Sequence, residues 1–329
     1  MPVKRLSTCL ITLALIAGMV GCAPRPIEIR DWYDLHAVRD NLGGSYILMN
    51  DPDSTTAGYT ELASETANSG RGWGPIGTVD DGFTGNFNGQ GYEIRDLFIN
   101  RPDEDYVGLF THISWIRYID NVGVVENVGV VNADVTGFAQ VGALVGHNAG
   151  IVNNSYSSGS VTGEERVGGL VGWNQAILSN SYSSCSVTGH SAVGGLTGDN
   201  WYYRGIVSNS YSTGSVTGST RVGGLVGVNY YGNVTHSCSM GKATGSTQVG
   251  GLVGYNKGTV SNSFWDIVTS GTATSAGGTG KTTAEMKSIA TLSGAGWNIV
   301  AVTSPSTGNP SYIWNIVDGQ TYPFLSWEL

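Results

Sequence analysis

Chemistry needs acids, bases, nucleophiles or metal ligands held close together, and this chain of 329 residues offers five histidines, 25 carboxylates and four cysteines. A zinc hydrolase of the H-E-x-x-H type sets two histidines one helical turn apart with a glutamate as base. None of His36, His112, His147, His190 and His236 is followed by Glu. Polysaccharide cleavage needs two or three carboxylates brought together for acid and base work. Between Val128 and Phe264 only Asp134, Glu164, Glu165 and Asp199 are available, and Glu164-Glu165 reads better as a solvated bend. Asp80-Asp81 and Asp103-Glu104-Asp105 could bind calcium loosely, but they lack the alternating spacing of a dedicated calcium loop. Gly278-Thr279-Gly280-Lys281-Thr282 suggests a phosphate loop, yet G-x-x-x-x-G-K-T would require Gly where Ser275 stands. Thr282 with Glu285 has capping-box spacing instead, which marks a helix start. No catalytic, cofactor-binding or metal-ligating residue is assigned, and the expectation is a protein without catalysis or cofactor.

The residues that recur serve architecture. VGGLVG stands at 167–172, VGALVG at 141–146, VGGLTG at 193–198, and VGGLVG again at 222–227 and 249–254. Successive starts lie 26, 26, 29 and 27 residues apart, and VGLFTH at 107–112 is a degenerate sixth copy. An Asn follows each full copy (Asn148, Asn174, Asn200, Asn229, Asn256), then an Asn-Ser-aromatic phrase ending at Tyr156, Tyr182, Tyr211 or Phe264, with Cys238 in the one departing copy. The phrase SVTG closes three of the units, at 160–163, 186–189 and 215–218. A fixed period in the twenties marks a repeat architecture. Each unit holds three short β-branched runs divided by Gly, Asn and Ser, and none holds a helix-length apolar period. The fold class expected is therefore all-β, a parallel β-solenoid of coils about 26 residues long with three strands and three bends each.

Equivalent residues then stack about 4.8 Å apart. Leu144, Leu170, Leu196, Leu225 and Leu252 should form one inward column; Tyr156, Tyr182, Tyr211, Cys238 and Phe264 should form a second. The five Asn residues should form an amide ladder at a bend. The third coil carries three extra residues, expected within Trp201-Tyr202-Tyr203-Arg204. The 34-residue step from Val107 to Val141 contains NVGVVE at 121–126 and NVGVVN at 127–132, and one of these hexapeptides is expected to be an insertion. Cys185 and Cys238 lie two coils apart, roughly 10 Å along the axis. A disulfide needs Cα atoms within about 7 Å, so both are expected as buried free thiols.

VGGLVG-x-N with the Asn-Ser-Tyr and SVTG phrases resembles the GLUG repeat of bacterial surface proteins, found also beside IgA-peptidase-type and adhesin domains. GWGPIG at 72–77, FTGNFNGQGYEIRDLFIN at 83–100 and SAGGTGKTTAEM at 275–286 resemble the flanks of the same proteins. The resemblance covers most of the chain after residue 27 and implies the solenoid; roles in the family are varied, so it leaves the biochemistry open. At the N-terminus, Lys4 and Arg5 precede an apolar run too short to span a membrane comfortably, which reads as a signal peptide. Met19-Val20-Gly21-Cys22 resembles a bacterial lipobox, with Met where Leu is usual. That implies cleavage before Cys22 and lipidation of its thiol, with the membrane as partner through the acyl chains. Ala23 stands where Asp would mark inner-membrane retention, compatible with an outer-membrane or cell-surface location.

The organisation expected is a signal peptide at 1–21, a lipidated tether at 22–26, an N-terminal cap and first coils at 27–106, the repeat solenoid at 107–266, and a C-terminal cap at 267–329. The N-terminal cap covers open strand edges with a helix from Asp31 to Leu42 and a strand at 46–49. A second helix begins at Thr283, after which Trp297, Trp314 and Trp327 either fold back as the C-terminal cap or form an exposed aromatic platform for sugars. Cleavage before Cys22 removes Lys4 and Arg5 and takes the formal charge from −9 to −11. Such a surface suits neither nucleic acid nor anionic lipid, which need basic patches. The function expected is a monomeric, membrane-anchored surface lipoprotein presenting its solenoid for adhesion or for binding a protein or glycan. A polysaccharide-active enzyme and a structural accessory of an envelope complex remain open alternatives. An exposed aromatic or apolar patch would favour binding, and a uniformly polar surface would favour the spacer.

Overall fold

The computed structural model describes residues 25–116 and 121–328; the signal peptide at 1–21 and Cys22 lie outside them. The chain winds as a parallel β-solenoid. Val141, Val167, Val193, Val222 and Val249 stand in register on successive coils, and Val107 bridges Val141 in the degenerate copy before them. Leu144, Leu170, Leu196, Leu225 and Leu252 are fully buried and joined coil to coil by backbone hydrogen bonds of 2.9–3.1 Å. The inward leucine column is as expected.

A coil has more sides than the three expected. In the second full repeat, strands run at Glu165–Gly168, Val171–Asn174, Ile177–Ser179, Tyr182–Ser183 and Ser186–Thr188. The hexapeptide itself contains a bend, which is why it starts Val-Gly. A Cβ on Gly168 would lie 2.1 Å from the carbonyl oxygen of Val171, and the equivalent Gly194, Gly223 and Gly250 are as crowded. Two further corners are left-handed. Asn154, Asn180, Asn209, His236 and Asn262 sit at φ 46–48°, and Asn and His are among the side chains that tolerate this region best. Gln140, Arg166, Ala192, Arg221 and Gln248 turn the other corner at φ 53–57°.

The asparagine ladder forms. Asn148 donates to Asn174, Asn174 to Asn200, Asn200 to Asn229 and Asn229 to Asn256, each at 2.8 Å. The same amides also donate to backbone carbonyls beyond the bend, such as Asn200 to Gly205 at 3.1 Å. A parallel serine ladder runs beside it: the N–H groups of Ser155, Ser181, Ser210 and Ser237 each donate to the hydroxyl of the next coil's serine at 3.1–3.2 Å.

Two further expectations are corrected. The tyrosine column does not point inward. Ser157, Ser183, Ser212 and Ser239 are the fully buried lumen-facing residues, and strand alternation sends the preceding Tyr156, Tyr182, Tyr211 and Cys238 outward. Tyr156, Tyr182 and Tyr211 still stack, at 4.9 and 4.8 Å between ring centroids. The insertion before Val141 is not a hexapeptide copy: Val124–Glu126 and Gly129–Thr136 are both regular coil strands. The excess falls between Ser114 and Gly123, where Trp115–Ile116 leaves the coil and pairs antiparallel with the returning Asn121–Val122.

The N-terminal cap is a helix at Trp32–Ala37 continued by a 3-10 turn to Asp40; Asp31 caps it by accepting from Asp34 N at 2.9 Å. Trp32, Leu35 and Val38 are buried against the first coils. At the other end, residues 267–278 cover the last coil, Gly251 N donating to Thr274 O at 2.9 Å and Val253 N to Ser275 Oγ at 2.9 Å. From Thr282, whose capping box with Glu285 is present, the chain turns back. It packs along the side of the solenoid rather than on its end. Met286, Leu292, Trp297, Ile299, Trp314, Ile316 and Leu325 form a second core with Tyr211, Cys238 and Phe264.

Asn200→Ala should lower the stability to urea by about 2–3 kcal/mol, because it strips a buried donor and a buried acceptor of their partners. Asn256→Ala, at the partly buried end of the ladder, should cost about 1 kcal/mol or less.

Candidate binding surface

The groups that sequence alone offers for chemistry are dispersed or neutralised. His112 and His147 stack at 4.4 Å with nearly parallel rings, and Trp173 stacks on His147 at 4.4 Å. Burial, then the neighbouring His112, pushes His147 down to about 3, so it stays neutral at ordinary pH. Next in the same row is Asp199, 3% exposed, facing Arg166 Nε at 3.3 Å. Burial pushes its carboxyl up to about 6 against the pull of Arg166 and Arg221, and its Oδ1 has no partner among the described residues. Asp134 accepts from the Ser160 hydroxyl at 3.0 Å, and Glu165 lies 3.8 Å from Arg166. In the acidic loop, Asp103 and Glu104 are paired with Arg71, and Glu104 with Arg101. Among the described residues no three His, Cys, Asp or Glu side chains group as a metal site. Lys281, from the Gly278–Thr282 run, lies in a strand beside Asp266 and reaches Glu285 at 3.5 Å. Cys185 and Cys238 are buried free thiols, as the coil register required.

A built surface appears where the repeat is interrupted. Asn174 pairs with Asn200, but the next paired residues are Ile177 and Ile206. The three extra residues thus fall within 201–205, as expected. They cannot join the ladder, so the loop is pushed outward. Trp201 stacks on Tyr230 at 4.4 Å, Tyr230 meets Tyr231 at 4.5 Å, and Tyr203 lies over Tyr231 at 5.6 Å. Tyr202 is 56% exposed and Tyr203 68%.

Trp201, Tyr202 and Tyr203 wall a groove of about 870 Å³, and Tyr230 and Tyr231 support them from behind. Its floor is an outward aliphatic row, Ile151, Ile177 and Ile206, in register on adjacent coils. The alternate residues Val152, Leu178 and Val207 fill the lumen. Val122, from the returning strand of the 115–122 excursion, also lines the groove. Both breaks in the repeat therefore border one hollow. The sequence carries a signal for it, since WYY at 201–203 and YY at 230–231 stand at a break in the register.

The three C-terminal tryptophans are largely spent on docking the tail. Trp314 is fully buried, Trp297 Nε1 donates to Asn262 O at 2.8 Å, and Trp327 Nε1 donates to Asn180 O at 3.0 Å. Asp266 pins the root of the tail, accepting from the hydroxyls of Thr283 at 2.7 Å and Tyr322 at 2.5 Å. Glu328 pins its end, accepting from Tyr211 Oη at 2.8 Å and Leu325 N at 2.6 Å. Burial pushes Glu328 up to about 7 despite those two bonds.

These features define a parallel β-solenoid with an interrupted repeat and a side-docked tail. A crystal structure from Bacteroides ovatus titled "putative immunoglobulin A1 protease" has the same fold, at a TM-score of 0.67 and 21% identity, covering 92% of this chain and 93% of that one. The chain carries the GLUG motif, whose family model matches residues 189–217. A "Putative Gly-rich membrane protein" of Evansella cellulosilytica is 34% identical over 144 residues, which is 43% of this chain and 15% of that protein. Halomucin of Haloquadratum walsbyi is 36% identical over 146 residues, 43% of this chain and 2% of that protein. The chain thus spans a small part of the length of these curated relatives.

Glu328 is raised in the folded state, so its contribution is fully present below its unfolded pKa near 4.5 and is lost as pH rises through about 7. Tail docking should therefore weaken between pH 5 and 8 by on the order of 1–2 kcal/mol, the carboxyl keeping some contact with water. Glu328→Gln should flatten that dependence, read as the melting midpoint of tryptophan fluorescence against pH.

Proposed function

We propose that this protein is a non-catalytic binding solenoid of the bacterial cell envelope, anchored by lipid on Cys22, that engages a partner protein through the groove beside Trp201–Arg204. The observation that carries the reading is the exposed aromatic wall over an outward aliphatic floor. Outward isoleucines on adjacent coils are costly to leave in water, and contiguous apolar patches on soluble surfaces mark interaction sites. Trp, Tyr and Arg are the side chains that most often carry binding energy at protein interfaces. The lining has few polar side chains, which suits aliphatic or aromatic side chains of a protein segment better than the hydroxyls of a sugar. A spacer would have no use for such a patch. The membrane-protein name of the Evansella relative supports an envelope location, and the lipobox supports the means of attachment.

The test is retention of the full chain, purified in detergent, on protein and glycan arrays. The wild type should be held on protein spots, and Tyr202→Ser with Tyr203→Ser should lose at least about tenfold in affinity without a change in melting temperature. Retention only on glycan spots, or binding indifferent to the double substitution, would overturn the reading. For the anchor, Cys22→Ser should move the protein from the membrane fraction to the soluble fraction, and mass spectrometry of the wild type should find a diacylated N-terminal Cys22.

A further inference from the structure

A second hollow, of about 370 Å³, lies where the docked tail meets the solenoid, and its lining is of a different kind from that of the groove. Tyr156 and Tyr182 are stacked on each other at 4.9 Å, and Tyr182 on Tyr211 at 4.8 Å, so they turn ring edges to the hollow, and Trp327 lies 5.9 Å from the Tyr156 and Tyr182 rings. Glu328, Asn127 and Asn154 supply polar groups. In this row of tyrosines the hydroxyls are not used alike. Tyr156 donates to Glu93 and Tyr211 donates to Glu328. Tyr182, between them, makes no hydrogen bond through its hydroxyl among the described residues, although it lines the hollow and lies in the field of both carboxylates. Asn154 donates to Asn127 Oδ1 at 3.0 Å, and Asn127 donates to Asn88 Oδ1 at 3.2 Å, which leaves the Asn154 amide oxygen without a donor among the described residues.

The Trp327 indole beside hydroxyl and amide groups without protein partners suits a molecule with an apolar face and a polar edge. A pyranose ring is such a molecule: its C–H groups pack on aromatic rings while its equatorial hydroxyls bond amides and carboxylates. The volume is at the small end of ligand pockets. Glu93 is ion-paired with Arg95, and Glu328 gains its charge as pH rises through about 7, so above that pH the Glu328 carboxylate disfavours uronic, sulfated or phosphorylated sugars.

We propose that this hollow binds one neutral pyranose residue of a glycan, packed on Trp327 beside the edge of Tyr182 and hydrogen-bonded by the Tyr182 hydroxyl, the Asn154 amide oxygen and Glu328. The site is separate from the groove and does not depend on the groove's occupant.

The test is a titration of tryptophan fluorescence, on the full chain in detergent, with cellobiose, lactose, N,N′-diacetylchitobiose and digalacturonate up to about 20 mM. At least one neutral disaccharide should saturate with a Kd near about 1 mM, and digalacturonate should not. Tyr182→Phe, which keeps the stack and removes the free hydroxyl, should weaken that binding about fivefold or more at unchanged melting temperature. The Tyr202, Tyr203 double substitution should leave it unchanged. The proposal fails if no neutral disaccharide perturbs the spectrum, if digalacturonate binds as well, if Tyr182→Phe binds as the wild type does, or if the Tyr202, Tyr203 substitution abolishes binding.

Discussion

The structure depends on coil-to-coil hydrogen bonding in strict register. Parallel pairing places each residue on its counterpart one repeat away, so each column must satisfy itself. For apolar columns this is simple, and Leu170 sits on Leu196 as it would in any core. For polar columns it is a severe condition, because a buried amide without a partner costs about 1–3 kcal/mol. The asparagine ladder meets it by repetition: each side chain is at once donor to the next coil and acceptor from the previous one. The serine ladder does the same with hydroxyls and backbone N–H groups. Replacing Asn200 would take an acceptor from Asn174 and a donor from Asn229, and replacing Ser181 would leave the Ser155 N–H without its acceptor.

The same condition decides where variation is allowed. Extra residues cannot be absorbed into a ladder, so they are expelled at a bend. Both such expulsions, 115–122 and 201–205, border the same hollow on the outside of the solenoid. Trp201 stacks in register on Tyr230 at the edge of the break, and the exposed Tyr202, Tyr203 and Tyr231 gather beyond it. This is the usual division between a rigid scaffold and the loops that carry recognition, reached here by breaking a period rather than by adding a domain.

The outward tyrosines created a second problem of exposed apolar surface, and the C-terminal tail answers it. Trp297, Trp314 and Leu325 cover the row around Tyr211, Cys238 and Phe264. Asp266 and Glu328 hold the tail at its two ends through hydrogen bonds. The tail stops short of covering Tyr156 and Tyr182 completely, which leaves the smaller hollow beside Trp327.

The repeat period, the columns that stack, the asparagine ladder, the helix caps at Asp31 and Thr282 and the separation of Cys185 from Cys238 were all determined by sequence, since each is a matter of spacing along the chain. The inward face of the leucine column was legible too, but the outward face of the tyrosine column was not. That face is set two residues earlier, at the left-handed corner of Asn154, Asn180, Asn209, His236 and Asn262, while a second left-handed corner at Gln140, Arg166, Ala192, Arg221 and Gln248 has no common residue type to recognise. Only the tertiary structure could turn the tyrosines outward, bury Asp199 beside Arg166, and bring residues near 327 against residues near 156. Those contacts join parts of the chain far apart in sequence, and a period, being one-dimensional, carries no information about them.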